Sequence, residues 1–352
     1  MAYVRATSHR AGASECMVSP VAGSVRVQVD GITGRAHVSG LKRCRSPWAC
    51  PTCAPCIRQR RAAELTELCE RARAMGHTAL LVTYTLPHVV DESLDDVFGD
   101  LSAAWRKMWS GRWAADFKAD LGIVGSVRAV EITRGPSGWH PHLHVLMFVD
   151  QAEPAVDAGL VAIWISLFRR WATSVEAVCG RRPSARNGLD VQIVTDPEAV
   201  GEYVADGTGW SVGAELTAGP VKITKSTASL TPFAILGAAA VWGCADAGRL
   251  WAEYERSTAG RHAIQASPGL YAFYEVTEAT DEDAAAPEAH TVVASVEVDI
   301  LDWVLMAELH VTDRFVMAVE DWAALGAGPP PDGRAFLLEV LAERRRFELG
   351  HR

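Results

Sequence analysis

Apolar and polar positions change period several times along the chain, and each change marks an element. Residues 78–86 (TALLVTYTL) are an almost unbroken apolar, β-branched run, the pattern of a buried strand, closed by Pro87 and His88. From Ser93 to Asp120 the spacing turns helical: Leu94, Val97, Leu101, Trp105 and Met108 form a core stripe over one or two helices. Val127 to Thr133 alternates, Arg134-Gly135-Pro136-Ser137-Gly138 is a turn cluster, and Val145 to Val149 is wholly apolar, so a hairpin is predicted. Val156 to Cys179, with Trp164, Phe168 and Trp171, reads as an amphipathic helix, and Leu189 to Thr195 as a short strand. Asp196-Pro197 then opens another helix, aspartate as N-cap and proline in the first turn.

Helical patterns also cover Ile57 to Ala74 and Thr231 to about Arg256. The order strand, helix, strand, strand, helix, strand, helix predicts an α+β fold, an antiparallel sheet with helices packed on it. Beyond it, Thr277 to Pro287 is acidic and alanine-rich like a linker, His290 to Val319 alternates like a small sheet, and Arg334 to Phe347 is helical. The expected organisation is an N-terminal segment over residues 1–76, a central domain over 77–270, and an acidic linker with a small C-terminal appendage over 271–352.

With 352 residues, 49% of them hydrophobic, the chain can bury one large core or two modest ones. It contains no long uncharged apolar run, and Met1 to Ser14 lacks the apolar centre of a signal peptide, so a cytoplasmic protein without a membrane partner is expected. The net charge of −9 is unevenly spread. From Tyr271 onward 17 acidic residues face 6 basic ones, so the rest of the chain is slightly basic. Arg58, Arg60 and Arg61 form one basic group, and Arg169, Arg170, Arg181, Arg182 and Arg186 another; either is a solvated face or a contact for nucleic acid.

Candidate chemistry concentrates in two places. The run Trp139-His140-Pro141-His142-Leu143-His144 sets histidines at every second position, and alternate residues of a strand share a face. His142 and His144 can therefore offer two imidazoles to one ion, which leaves positions open for water or substrate. The hairpin brings Glu131 towards them, either as a hard third ligand or as a solvated carboxylate; such a set suits Mn²⁺ or Mg²⁺ and does not exclude zinc. Cys44, Cys50, Cys53 and Cys56 follow a C-x5-C-x2-C-x2-C spacing that points to a structural Zn²⁺ knuckle, with an iron–sulfur centre as the lesser reading. So short a loop forces adjacent chelate turns, and Cys56 is the weakest of the four, the alternative being a distant histidine in its place.

The segments TYTLPH (83–88), SLDDVFGDLSAAWRKMWSGRW (93–113), LGIVGSVRAVEITRGPSGWHPHLHVLMF (121–148) and EYVADGTGW (202–210) resemble the replication initiators of actinobacterial rolling-circle plasmids. These belong to the HUH endonuclease superfamily. The resemblance runs from about Cys44 to about Gly269. It implies a central domain with an RRM- or ferredoxin-like core, and a site-specific nickase and strand transferase. Such an enzyme cuts one DNA strand at an origin, stays attached through a 5′-phosphotyrosine and frees a 3′-hydroxyl primer.

The resemblance places the nucleophile at Tyr203, which by itself reads equally as a helix-face aromatic. Many relatives carry a lysine three residues later where this chain has Asp206, a charge that opposes an incoming phosphate; Lys222 or Lys225 is the candidate replacement. His140 is expected behind the ligand pair, and His88 either caps its strand or contacts phosphate. DNA is the expected partner. A host helicase is a further candidate, for the acidic tail. The alternatives are an origin-binding regulator without catalysis, a transposase, or a relaxase; the last usually has its tyrosine before the histidines.

Overall fold

The computed structural model describes residues 2–10, 12–21, 23–195, 229–285, 291–326 and 328–350. Its elements are α1 (Ala2–Thr7), β1 (Val25–Asp30), β2 (Ala36–Ser39), α2 (Cys53–Ala74), β3 (Thr78–Thr85), α3 (Leu94–Met108), α4 (Gly111–Leu121), β4 (Ile123–Gly135), β5 (Gly138–Val149), α5 (Glu153–Cys179) and β6 (Leu189–Ile193). After residue 228 come α6 (Pro232–Trp242), α7 (Ala245–Ser257), β7 (Ile264–Ala266), α8 (Leu270–Phe273), α9 (Asp281–Ala284), β8 (Val292–Val298), α10 (Ile300–Glu308), α11 (Thr312–Leu325) and α12 (Gly333–Gly350). They form two compact units, residues 47–280 and residues 1–46 with 281–352, so the architecture is mixed α+β. No described helix is long and apolar enough to cross a membrane.

The larger unit is built on a five-stranded antiparallel sheet in the order β6-β3-β5-β4-β7. Its central strands are apolar on both faces, because helices cover both. On one face Leu146 and Phe148 of β5 and Val127 and Ala129 of β4 meet Leu65, Leu68, Cys69 and Ala72 of α2, together with Tyr271 and Tyr274. Residues of the opposite parity, such as Tyr84 of β3, pack towards α3 and α5: the Tyr84 ring lies 5.5 Å from that of Trp105 and 5.1 Å from that of Trp171. Burying rings of this size is the main stabilising term here.

Local signals set the boundaries. Ser93 caps α3 by accepting a hydrogen bond from the Asp96 amide. The helical stretch from 93 breaks at Ser110, giving two helices, and the one from 231 breaks at Gly243, whose φ of +64° suits glycine. The hairpin forms at the expected turn: Gly135 pairs with Gly138, whose φ is +95° and whose missing Cβ would lie 2.9 Å from the Val90 carbonyl oxygen.

In the smaller unit β1 lies between β2 and β8, all antiparallel. Val25, Val27 and Val29 face Trp303 and Met306 of α10, Phe315 and Val319 of α11, and Leu337 and Val340 of α12. The sheet predicted over 290–319 is therefore corrected: its alternation is real only over β8, and two helices follow. Trp303, Met306 and Ala307 are buried at helical spacing, and the Asp299 carboxylate accepts from the Leu301 amide to start α10. At the end of β1 the Asp30 carboxylate accepts from the amides of Ile32 and Thr33 and the Thr33 hydroxyl, which hold its pKa well below the usual carboxylate range.

Phe315→Ala empties a site that is 0% exposed and should destabilise the smaller unit by about 3–5 kcal/mol. Hydrogen exchange checks this: amides of β1 and β8 should lose protection while those of β3 and β5 keep theirs.

Candidate active site

The strands β3, β5 and β4 lie side by side, and directly opposed residues on antiparallel strands project to the same face. The register sets Thr83 opposite His144 and Thr85 opposite His142 on one side, with Glu131 opposite His142 and Ala129 opposite His144 on the other. The small side chain of Ala129 leaves Glu131 room to reach diagonally, and its carboxylate lies 2.9 Å from Nε2 of His144. Both imidazoles are fixed from β3: Nδ1 of His144 lies 3.0 Å from the Thr83 hydroxyl, and Nδ1 of His142 lies 3.0 Å from that of Thr85. A hydroxyl can donate or accept, so each threonine suits either tautomer and turns Nε2 away from β3.

The two rings are nearly parallel, 13° apart with centroids separated by 6.2 Å. His140 stands edge-on to His142 at 4.1 Å, and nitrogens of His88 lie 3.2 and 3.3 Å from Nδ1 of His140, so four imidazoles form a row. Burial, then the neighbouring histidines, pushes His142 well below its ordinary range; burial and His88 bring His140 down to about 4. These two rings are neutral at pH 7, the form that ligates metals. The imidazole pair with fixed Nδ1 atoms and the carboxylate at one Nε2 are donors that could each supply a ligand to a divalent ion.

Among the described residues, the donor group that closes to within 4.8 Å consists of Cys16, Cys44, Cys50 and Cys53, and it can hold a metal such as zinc; His142, His144 and Glu131 are more widely spread. The Cys50 sulfur accepts from the Cys53 amide at 3.3 Å and the Cys16 sulfur from the Cys44 amide at 3.4 Å, contacts that stabilise thiolates. Cys16 joins three of the four cysteines that the spacing singled out, and Cys56 is not in this group. Helix α2 begins at Cys53, and Cys56, one turn on, donates its thiol to the Thr52 carbonyl at 3.4 Å. Cys16 lies 28 positions before Cys44, and no spacing rule signals it.

The expected basic groups are largely engaged within the protein. Arg61 pairs with Glu64 at 2.8 Å, Arg181 with Glu92 at 2.6 Å and Arg182 with Glu176 at 2.7 Å. Arg170 donates to the carbonyls of Lys107, Met108 and Ser110 and closes the end of α3. Arg58 is buried, its pKa lowered to about 9 by burial and partly restored by Tyr254 and Glu131; only the fold brings this cation near Glu131. Tyr203, Asp206, Lys222 and Lys225 lie outside the described residues. Of the other tyrosines, Tyr84, Tyr254, Tyr271 and Tyr274 are core residues, and the hydroxyls of the last three meet the Trp48 carbonyl, Glu64 and His77.

Residues 35–174, which include the histidine row, Glu131, Thr83 and Thr85, match the family described as Replication protein. Over 306 residues the chain is 29% identical to "Protein rep" of Streptomyces lividans, a match covering 70% of this chain and 66% of that protein. A match of 141 residues at 30% identity, with a "Neomycin resistance protein" of Streptomyces cyanogenus, covers 33% of this chain and 32% of the relative. The chain thus matches slightly under two thirds of the first relative's length and about a third of the second's. No solved structure matches it.

Two outcomes follow from the geometry. Cys16→Ser should release the metal from the cysteine cluster whereas Cys56→Ser retains it, read by elemental analysis of the purified proteins. Thr83→Val with Thr85→Val, which removes both Nδ1 partners at nearly constant shape, should weaken divalent-metal binding at the histidines by about 10–100-fold in titration calorimetry.

Proposed function

We propose that this chain, which matches the replication-protein family over residues 35–174, initiates rolling-circle replication by nicking one DNA strand at an origin. The larger unit would then be an HUH-type nuclease fold. The observation that carries the reading is the β4–β5 hairpin within the matched segment, where Glu131 and two threonine-anchored imidazoles share one sheet face. His142, His144 and Glu131 would hold a divalent ion, Mn²⁺ or Mg²⁺, which when bound neutralises charge on the scissile phosphate.

Tyr203 is the proposed nucleophile. Four of the other tyrosines are buried, with Tyr84 0%, Tyr254 1%, Tyr271 8% and Tyr274 2% exposed, so none of them offers an accessible hydroxyl to a DNA strand, which supports Tyr203. In the step, the phenolic oxygen bonds to phosphorus and its proton passes to water. The bond from phosphorus to the 3′-oxygen breaks, and that oxygen takes up a proton to become the primer hydroxyl. Lys222 and Lys225 follow Tyr203 in sequence and are the proposed phosphate contacts that replace the lysine for which Asp206 stands, with His88 and His140 as hydrogen-bonding groups beside the ligands. The thiolate cluster is a structural zinc site in this reading. Asp206 favours a second reading, an origin-binding regulator that does not nick.

A labelled single-stranded origin oligonucleotide incubated with the protein and Mn²⁺ should give a covalent adduct on a denaturing gel. Tyr203→Phe should abolish the adduct and retain binding, and His142→Ala with His144→Ala should do the same. Adduct formation by either variant refutes the corresponding role, and a wild-type protein that binds the origin but forms no adduct with any divalent ion establishes the regulator instead.

A further inference from the structure

The sheet face opposite the histidines carries a second surface with its own chemistry. Arg128 and Val130 on β4 and Leu143 and Met147 on β5 have the opposite parity to Glu131, His142 and His144, so they project from the other side of the sheet. There a cavity of about 290 Å³ is lined by Trp105, Trp109, Lys118, Arg128 and Gln265 among others, and it continues through Trp105 and Arg128 into one of about 450 Å³ that also includes Arg106. In a chain of net charge −9, no carboxylate among the described residues lines either cavity.

Among the described residues, three cations of this groove lack counter-charges. Arg128 is half-buried and donates to the side-chain carbonyl of Gln265, a neutral partner, while Arg106 lies near enough to disfavour its charge. Among the described residues, Arg106, Lys118 and Arg128 form no ion pair, unlike Arg261 at the groove's far side, which pairs with Asp95 at 2.7 Å. Two arginines kept together without a carboxylate cost free energy that a bound anion offsets. The aromatic rings are continuous with them. Trp105 and Trp109 are 5.6 Å apart, Trp109 and Trp113 6.0 Å, and the Lys118 ammonium lies 5.5 Å from the Trp109 ring. These indoles are half-buried, and among the described residues the Trp109 N–H has no acceptor.

Indole rings that line the cavities beside unpaired cations suit a polyanion whose flat groups are exposed. Single-stranded nucleic acid has that character, whereas a duplex hides its base faces. We propose that this groove is a single-stranded DNA site, in which bases stack on Trp105 and Trp109 while Arg106, Lys118 and Arg128 neutralise successive phosphates. The choice of DNA over RNA rests on the replication reading above. A strand held there lies across the sheet from the histidines, so a nicking protein would have one surface for the strand it cuts and another for strand it keeps single.

The test is binding of a fluorescein-labelled oligothymidylate to the full chain, followed by anisotropy over a range of salt. Arg106→Gln with Lys118→Gln alters two exposed side chains; it should weaken binding at least about tenfold and lower the slope of log K against log[salt] by about 1.4, at roughly 0.7 per lost phosphate contact. Trp109→Ala should weaken it by about five- to hundredfold. Photocrosslinking of the wild-type protein to a 5-iodouracil oligonucleotide should label the tryptic peptide that contains Trp109, a readout that does not depend on how a variant folds. The proposal is overturned by unchanged affinity and slope in the double variant, by crosslinks that map elsewhere, by equal affinity for the duplex, or by tighter binding of oligouridylate. Anisotropy and crosslinking read binding alone, so a protein that does not nick leaves this test intact.

Discussion

The register of β3, β5 and β4 is the constraint on which the rest of the larger unit depends. A shift by one residue between any two of these strands would turn the histidines to the α3 face and drive Leu143 and Val145 to theirs. Apolar burial on both faces prevents it: Leu146 and Phe148 are needed against α2, and Tyr84 against Trp105 and Trp171. The polar site is therefore positioned by the apolar residues further along the same strands. Threonine at 83 and 85 fits both demands, being β-branched enough for a central strand and polar enough to hold an imidazole.

Charge is handled differently on the two faces. Around the histidines, burial keeps His140 and His142 neutral, and the buried Arg58 lies near the Glu131 carboxylate. On the far face Arg106, Lys118 and Arg128 line cavities together with indole rings and the Gln265 amide. Most of the basic groups conspicuous in the sequence, among them Arg61, Arg170, Arg181 and Arg182, are spent on internal partners. Clusters of charge along a chain therefore say little about where an anion binds; the position of each cation relative to the carboxylates decides it.

The sequence by itself determined whatever depends on neighbours within a few residues. Alternation and β-branching marked β3 and β5, the Gly-Pro-Ser-Gly turn marked the hairpin, and the period of two in His142 and His144 put both imidazoles on one face, because backbone geometry alone dictates these relations. The tertiary structure decided everything that depends on distant partners. It brought Cys16 to Cys44, Cys50 and Cys53, paired β1 with β8 across some 270 residues, turned most of 300–319 helical, supplied Thr83 and Thr85 from another strand, and gathered Trp109, Lys118 and Arg128 from three elements. Such meetings are fixed by packing, and packing is a property of the whole chain that no local period encodes.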